Sequence, residues 1–262
     1  MVTFIPQLIQ IVTLLIIVWL LHAKIGEYPE ALPLSDNPER EIGEALLMWV
    51  IFFAFLIIDA IIIFAFFESQ LSIQYSMEPL LVVTVLNTIP GLIIGYLLVT
   101  RVNGWNTKDL GLTTEILNKN VWIFVILITI VINIVSLMFV SPTRAPVEFL
   151  VVAIYQNIFI EEFLFRGVIQ SKLERAWGQN KAWIWGGIIF GLMHIINDFA
   201  LPLLLGVDVG SVIITGTLLL CIQIINGWFL GIIYIKTRNL LPCIIVHFIS
   251  NYLTAILAWF II

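Results

Sequence analysis

Charge is what this sequence has least of. Only 11% of its 262 residues are Asp, Glu, Lys or Arg, against roughly 25% in a typical soluble domain. Apolar residues make up 61%, and so few charges could not cover a water-facing surface. A soluble globule is excluded, and the chain reads as a polytopic membrane protein. Cysteine is nearly absent: Cys221 and Cys243 both fall in apolar segments and read as buried thiols, not as a disulfide or ligand pair. No basic patch interleaved with aromatics occurs, which excludes nucleic acid as a partner. The net charge of -5 is scattered over loops and names no partner. Internal repeats, low-complexity tracts and linkers are missing too, so residues 1–262 read as one domain. The N-terminus lacks a basic region or a small-residue cleavage site, so its apolar run reads as a retained transmembrane helix.

What is present is a series of long apolar runs. A spanning helix needs about 20 mostly apolar residues. Eight segments qualify, at about 3–22, 43–67, 79–100, 120–140, 148–171, 182–198, 210–235 and 241–261. The expected fold is all-α, a bundle of about eight transmembrane helices. Lysine and arginine test the count. Lys24 and Arg40, Arg101, Lys108 and Lys119, Lys172, Arg175 and Lys181, and Lys236 and Arg238 fall in or beside four alternate loops. The other loops hold only Arg144, and Arg166 lies within the fifth segment. By the positive-inside rule the four basic loops are cytoplasmic and both termini are not. The membrane is the cell membrane in a prokaryote or the endoplasmic reticulum in a eukaryote.

Two loops are informative. In "AKIGEYPEALPLSDNPEREIGE", Asp36 or Asn37 is expected to cap a helix with Pro38 in its first turn. The stretch "RVNGWNTKDLGLTTEILNKN" mixes polar and apolar residues and is expected along the membrane interface. Neither contains a catalytic motif.

Polar side chains inside spanning helices are costly and usually mark function. Glu161, Glu162 and Arg166 in the fifth segment, His194 and Asp198 in the sixth, and His247 and Asn251 in the eighth are such groups. Glu161 lies about 16 Å from Lys172 at 1.5 Å per residue, His194 about 20 Å from Lys181 and His247 about 16 Å from Lys236. These matched depths predict one cavity, opening towards the cytoplasm. Arg166 follows Glu162 by four residues, the favourable order for an intrahelical ion pair. Glu161 points about 100° away from Glu162 and keeps no local cation, which makes it a candidate general base. Asn251, one turn after His247, is a candidate oxyanion donor. Asp198 could orient the His194 ring. Asp59, Asn87, Gln223 and Asn226 read as hydrogen bonds within the bundle, and His22 as a bystander.

Three patterns sit on these helices: "EEFLFR" (Glu161–Arg166), "FGLMH" (Phe190–His194) and "HFISN" (His247–Asn251). They fit EExxxR, FxxxH and HxxxN, and "GWFLGIIYIKTRNLLPCIIVH" leads into the third. Together they resemble the CPBP family of intramembrane proteases, whose best-known branch is the type II CAAX prenyl endopeptidase, the Ras- and a-factor-converting enzyme. "TKDLGL" (Thr107–Leu112) is a weaker resemblance, and the likeness covers about residues 105–255. The resemblance implies an endopeptidase that cleaves after the prenylated cysteine of a CAAX terminus and releases the last three residues. It also implies that Glu161 and His194 activate a water, while His247 and Asn251 stabilise the oxyanion. The implied partners are a prenylated CAAX-terminal protein and membrane lipid.

Two histidines and a glutamate could also hold catalytic zinc, through Glu161, His194 and His247. No HExxH helix exists, and the ligands would come singly from three helices. A mechanism without metal or other cofactor is preferred. Two further readings stand beside the main one. One is a CPBP-type protease acting on a non-prenylated substrate, such as a bacteriocin or anchor protein. The other is a proton-coupled transporter using Glu161, His194 and Asp59, for which no inverted repeat is visible.

Overall fold

The structure is a computed structural model and describes residues 4–67, 77–137 and 143–261. All regular structure among them is helical. We number the helices α1 (Phe4–Ala23), α2 (Pro38–Phe67), α3 (Met77–Val102), α4 (Lys119–Ser136), α5 (147–177), α6 (Gln179–Leu204), α7 (Val209–Thr237) and α8 (Leu240–Ile261). In a bilayer every backbone N–H and C=O must be satisfied within the segment, and helices do this. Large apolar side chains such as Ile9, Ile61, Val85, Leu127 and Phe260 face outwards, as lipid contact requires.

Seven helices among the described residues are long and apolar enough to cross a membrane, one fewer than the eight expected. The difference is α5. It runs as one helix, but Glu148, Glu161, Glu162, Arg166 and Lys172 all lie on it. Lipid would reject such a helix, and the bundle buries it instead. From Phe163 to Glu174 every residue of α5 is buried.

The basic-loop end of the bundle is knitted by buried ion pairs. Lys172 Nζ donates to Glu41 at 2.9 Å, to Glu44 at 2.6 Å and to Asn103 Oδ1 at 3.0 Å, which joins α5 to α2 and the end of α3. Arg238 pairs with both oxygens of Glu174 at 2.6 Å. Lys236 Nζ donates to the carbonyls of Ile25 and Gly26, each at 2.8 Å, and to that of His22 at 3.2 Å. His22, whose ring bonds the Tyr28 hydroxyl and packs edge-on to it, therefore belongs to this cap. Asn37 Oδ1 accepts from Arg40 N at 3.0 Å, so Asn37 and not Asp36 caps α2, with Pro38 as its first residue.

The loop 103–118 is anchored to the bundle. It folds under the bundle with Leu110 fully buried and Trp105 buried. Leu240 N donates to Gly111 O at 3.0 Å, and Asn239 donates to the carbonyls of Thr113 and Glu115 at 2.9 Å. Apolar residues in that mixed stretch fill the space beneath α5 and α8. Neither cysteine is in a disulfide; Cys243 is buried as expected, whereas Cys221 is exposed on α7.

Helices α6 and α7 approach closely through glycine. A Cβ on Gly187 would come within 2.7 Å of Trp228 N, and one on Gly227 within 2.6 Å of Gly187 O. A Cβ on Gly191 would meet Ile224 N at 2.9 Å. This seam fixes the part of α6 that precedes His194.

Candidate active site

Backbone irregularity marks the site on two helices. In α5, wide π-helical turns at Ile154–Ile160 and Phe163–Gln170 flank Glu161 and Glu162, and such turns recur where side chains must be re-aimed. In α6, regular helix stops at Leu192, His194 sits in the break, and a π-helical turn follows at Ile196–Ala200.

The three motifs meet. Glu161, Phe190, His194, His247 and Asn251 all line one cavity of about 440 Å³. Glu162 does not line it. Its carboxylate is fully buried and lies between two cations or potential cations. One oxygen is 2.7 Å from His247 Nδ1, and the other is 3.3 Å from Arg166 Nε. The Glu162–Arg166 ion pair expected from spacing is therefore present, without the alignment of a hydrogen bond. The bond from Glu162 to His247 was not expected, because no spacing rule links two helices so far apart in sequence.

Phe190 explains the aromatic position of the second motif. The Arg166 guanidinium lies over its ring, 4.2 Å from the centroid. The ring also packs edge-on to His194 and His247, at 5.1 and 6.2 Å between centroids. A cation–π contact in a dry site stabilises the guanidinium that Glu162 only partly neutralises. One phenylalanine thus spaces an arginine and both histidines.

The hydrogen bonds dictate which ring nitrogens are free. His194 Nδ1 is 3.1 Å from the carbonyl of Phe190, and a carbonyl requires an N–H donor. The tautomer follows from this network, and it leaves His194 Nε2 with a lone pair. Asp198 does not orient this ring. Its backbone N donates to His194 O at 2.9 Å, and its carboxylate oxygen Oδ2 has no partner. The break in α6 sends the two side chains in different directions, which the i,i+4 spacing did not anticipate. His247 Nδ1 faces the Glu162 carboxylate and so also carries a proton. Its Nε2 can donate to an oxyanion only when the ring is doubly protonated.

Asp59, Asn87, Gln223 and Asn226 line the same cavity, together with Gln156, Asn157 and Asn197. Asn157 donates to the Tyr252 hydroxyl at 2.8 Å. Asn87 reaches the Asp59 carboxylate as a side-chain hydrogen-bond partner, in keeping with the reading of these two as bundle hydrogen bonds, though the contact is poorly aligned. Among the described residues no three His, Cys, Asp or Glu side chains are grouped as a metal site requires, Glu161, His194 and His247 included.

The cavity extends away from the basic loops. Its lining reaches Asp59, Pro79, Phe149 and Leu201, all farther from the basic-loop end than Glu161 and His194. Towards the basic loops it is closed by the buried run Phe163–Glu174 and the ion-paired cap. The four residues share a depth, as expected, and the lining continues from them away from the basic loops.

No curated protein and no solved structure matches this chain. Residues 143–253 match the family model described as "Type II CAAX prenyl endopeptidase Rce1-like". The match takes in α5 to α8 and all three motifs, and is narrower than the expected 105–255; Thr107–Leu112 lies outside it. Residues 143–253 thus carry a domain similar to the Rce1-like type II CAAX prenyl endopeptidases, set in a helical bundle with seven helices among the described residues long and apolar enough to cross a membrane.

Proposed function

We propose that the chain hydrolyses the peptide bond after the prenylated cysteine of a CAAX terminus and releases the terminal tripeptide. The observation that carries this reading is the convergence of Glu161, His194, His247 and Asn251 on one cavity inside an Rce1-like domain. Glu161 takes a proton from water as general base, and His194 Nε2 holds and orients that water. The hydroxide so formed adds to the scissile carbonyl. His247 Nε2–H and the Asn251 amide donate to the oxyanion, and Glu162 serves as counter-ion to the charged imidazole. The proton gained by the base passes to the leaving amine as the C–N bond breaks. No step calls on a metal. The test is cleavage of a farnesylated CAAX peptide by purified protein, wild type against Glu161→Ala, with and without a zinc chelator.

Orientation separates this proposal from its rival. The cavity end also carries both chain termini, since α1 and α8 lead away from the basic loops there. A substrate held in the cytoplasmic leaflet by its prenyl group requires that end to be cytoplasmic. We therefore place both termini in the cytoplasm, against the positive-inside reading. Six of the ten basic residues behind that reading have structural duties that account for them. Arg40, Lys108, Lys172, Arg175 and Arg238 form ion pairs, and Lys236 holds three carbonyls. The charge segregation itself favours the second reading, in which the cavity faces the other side and the substrate is not prenylated.

A further inference from the structure

The Lys172 hub sets a common level from which depth can be counted. It bonds Glu44 on α2 and Asn103 just after α3. Asp59 stands 15 residues beyond Glu44, Asn87 stands 16 before Asn103, and Gln156 stands 16 before Lys172. At 1.5 Å per residue all three lie about 22–24 Å from the hub, whereas Glu161 lies about 16 Å from it. They form one layer of the cavity wall, about 6–8 Å beyond the proposed base.

This layer is polar and buried, and short of well-aligned protein partners. Asp59 is 3% exposed, Asn87 0% and Gln156 5%. Asn87 reaches the Asp59 carboxylate, but in a poorly aligned contact. Acceptors outnumber donors: two Asp59 oxygens, Asn87 Oδ1 and Gln156 Oε1 face the single Asn87 amide nitrogen, and none is in a well-aligned hydrogen bond. Among the described residues, no lysine or arginine lines the cavity. Buried polar groups left in this state cost stability, and in a cavity that admits a ligand the ligand can satisfy them. The excess of acceptors, one of them a carboxylate, calls for a cationic donor.

We propose that Asp59, Asn87 and Gln156 form a specificity subsite for a lysine or arginine side chain on the substrate. An extended peptide advances about 3.3 Å per residue, so a layer 6–8 Å from the base meets the residue two or three positions from the scissile bond. The ammonium or guanidinium bridges the Asp59 carboxylate and the two side-chain carbonyls. This subsite rests on the protease reading above.

The test is a series of farnesylated peptides bearing lysine or its uncharged isostere norleucine at one position at a time, up to three residues either side of the scissile bond, the farnesylated cysteine itself being kept throughout. The wild type should show a kcat/KM ratio of lysine to norleucine of about ten or more at one position two or three residues from that bond, expressed mainly in KM. In Asp59→Asn, which keeps the side-chain volume, that ratio should fall towards one; Asn87→Ala, which leaves the charge in place, should lower it less. A ratio unchanged in Asp59→Asn, or no preference at any position, overturns the subsite. Failure of the wild type to cleave any peptide overturns the protease reading and the subsite with it.

Discussion

A carboxylate oxygen of Glu162 lies 2.7 Å from Nδ1 of His247, across the gap between α5 and α8. Glu162 is therefore more than the partner of Arg166. It fixes which nitrogen of His247 carries a proton and holds that ring in the cavity wall. Removing its charge strands two buried groups at once.

Glu162→Gln keeps the shape and removes the charge. Breaking a buried pair by removing one partner costs about 3–5 kcal/mol, so the detergent-solubilised variant should unfold at a clearly lower temperature than wild type. Turnover should fall with it, because His247 loses its counter-ion. Equal Tm values would show that Arg166 does not depend on Glu162.

Asn251 lines the cavity one helical turn beyond His247. Asn251→Ala removes one oxyanion donor, and kcat should drop on the order of 100-fold with little change in KM. A rate equal to wild type would remove Asn251 from the mechanism.

Gly187 of α6 packs against Gly227 and Trp228 of α7, where an added Cβ would meet backbone atoms closer than 3.0 Å. Gly187→Ala forces the two helices apart, at a cost of about 1–3 kcal/mol, and displaces the segment that carries Phe190 and His194. A lower Tm should accompany loss of activity. An unchanged Tm would mean that the seam yields without strain.

The helices and the four candidate residues were legible in the sequence because each rests on a local rule: apolar length, i,i+4 spacing and depth along one helix. What those rules missed joins distant parts of the chain. Glu162 reaches His247, Lys172 reaches Glu41 and Glu44, and Gly187 meets Gly227, none of which spacing within one helix reveals. The break in α6 defeated the expectation for Asp198. The proposed orientation departs from the charge rule for a different reason. Charge segregation counts lysines and arginines whether they face water or, as Lys172 does, lie fully buried in an ion pair.

Orientation is accessible to a reporter that folds only in the cytoplasm, fused to the C-terminus. The proposed placement predicts a strong signal there, and a weak one after the loop between α7 and α8. The opposite pattern would turn the cavity away from the cytoplasm and favour a substrate that carries no prenyl group.

The central claim is that Glu161 acts on water as a base. Purified wild type, Glu161→Gln and His194→Ala should be compared for release of the tripeptide from a farnesylated CAAX peptide, with and without a zinc chelator. Cleavage should disappear in both variants while their Tm values stay close to wild type, and the chelator should leave the wild-type rate unchanged. Cleavage that persists in Glu161→Gln, or that the chelator abolishes and added zinc restores, would contradict the account.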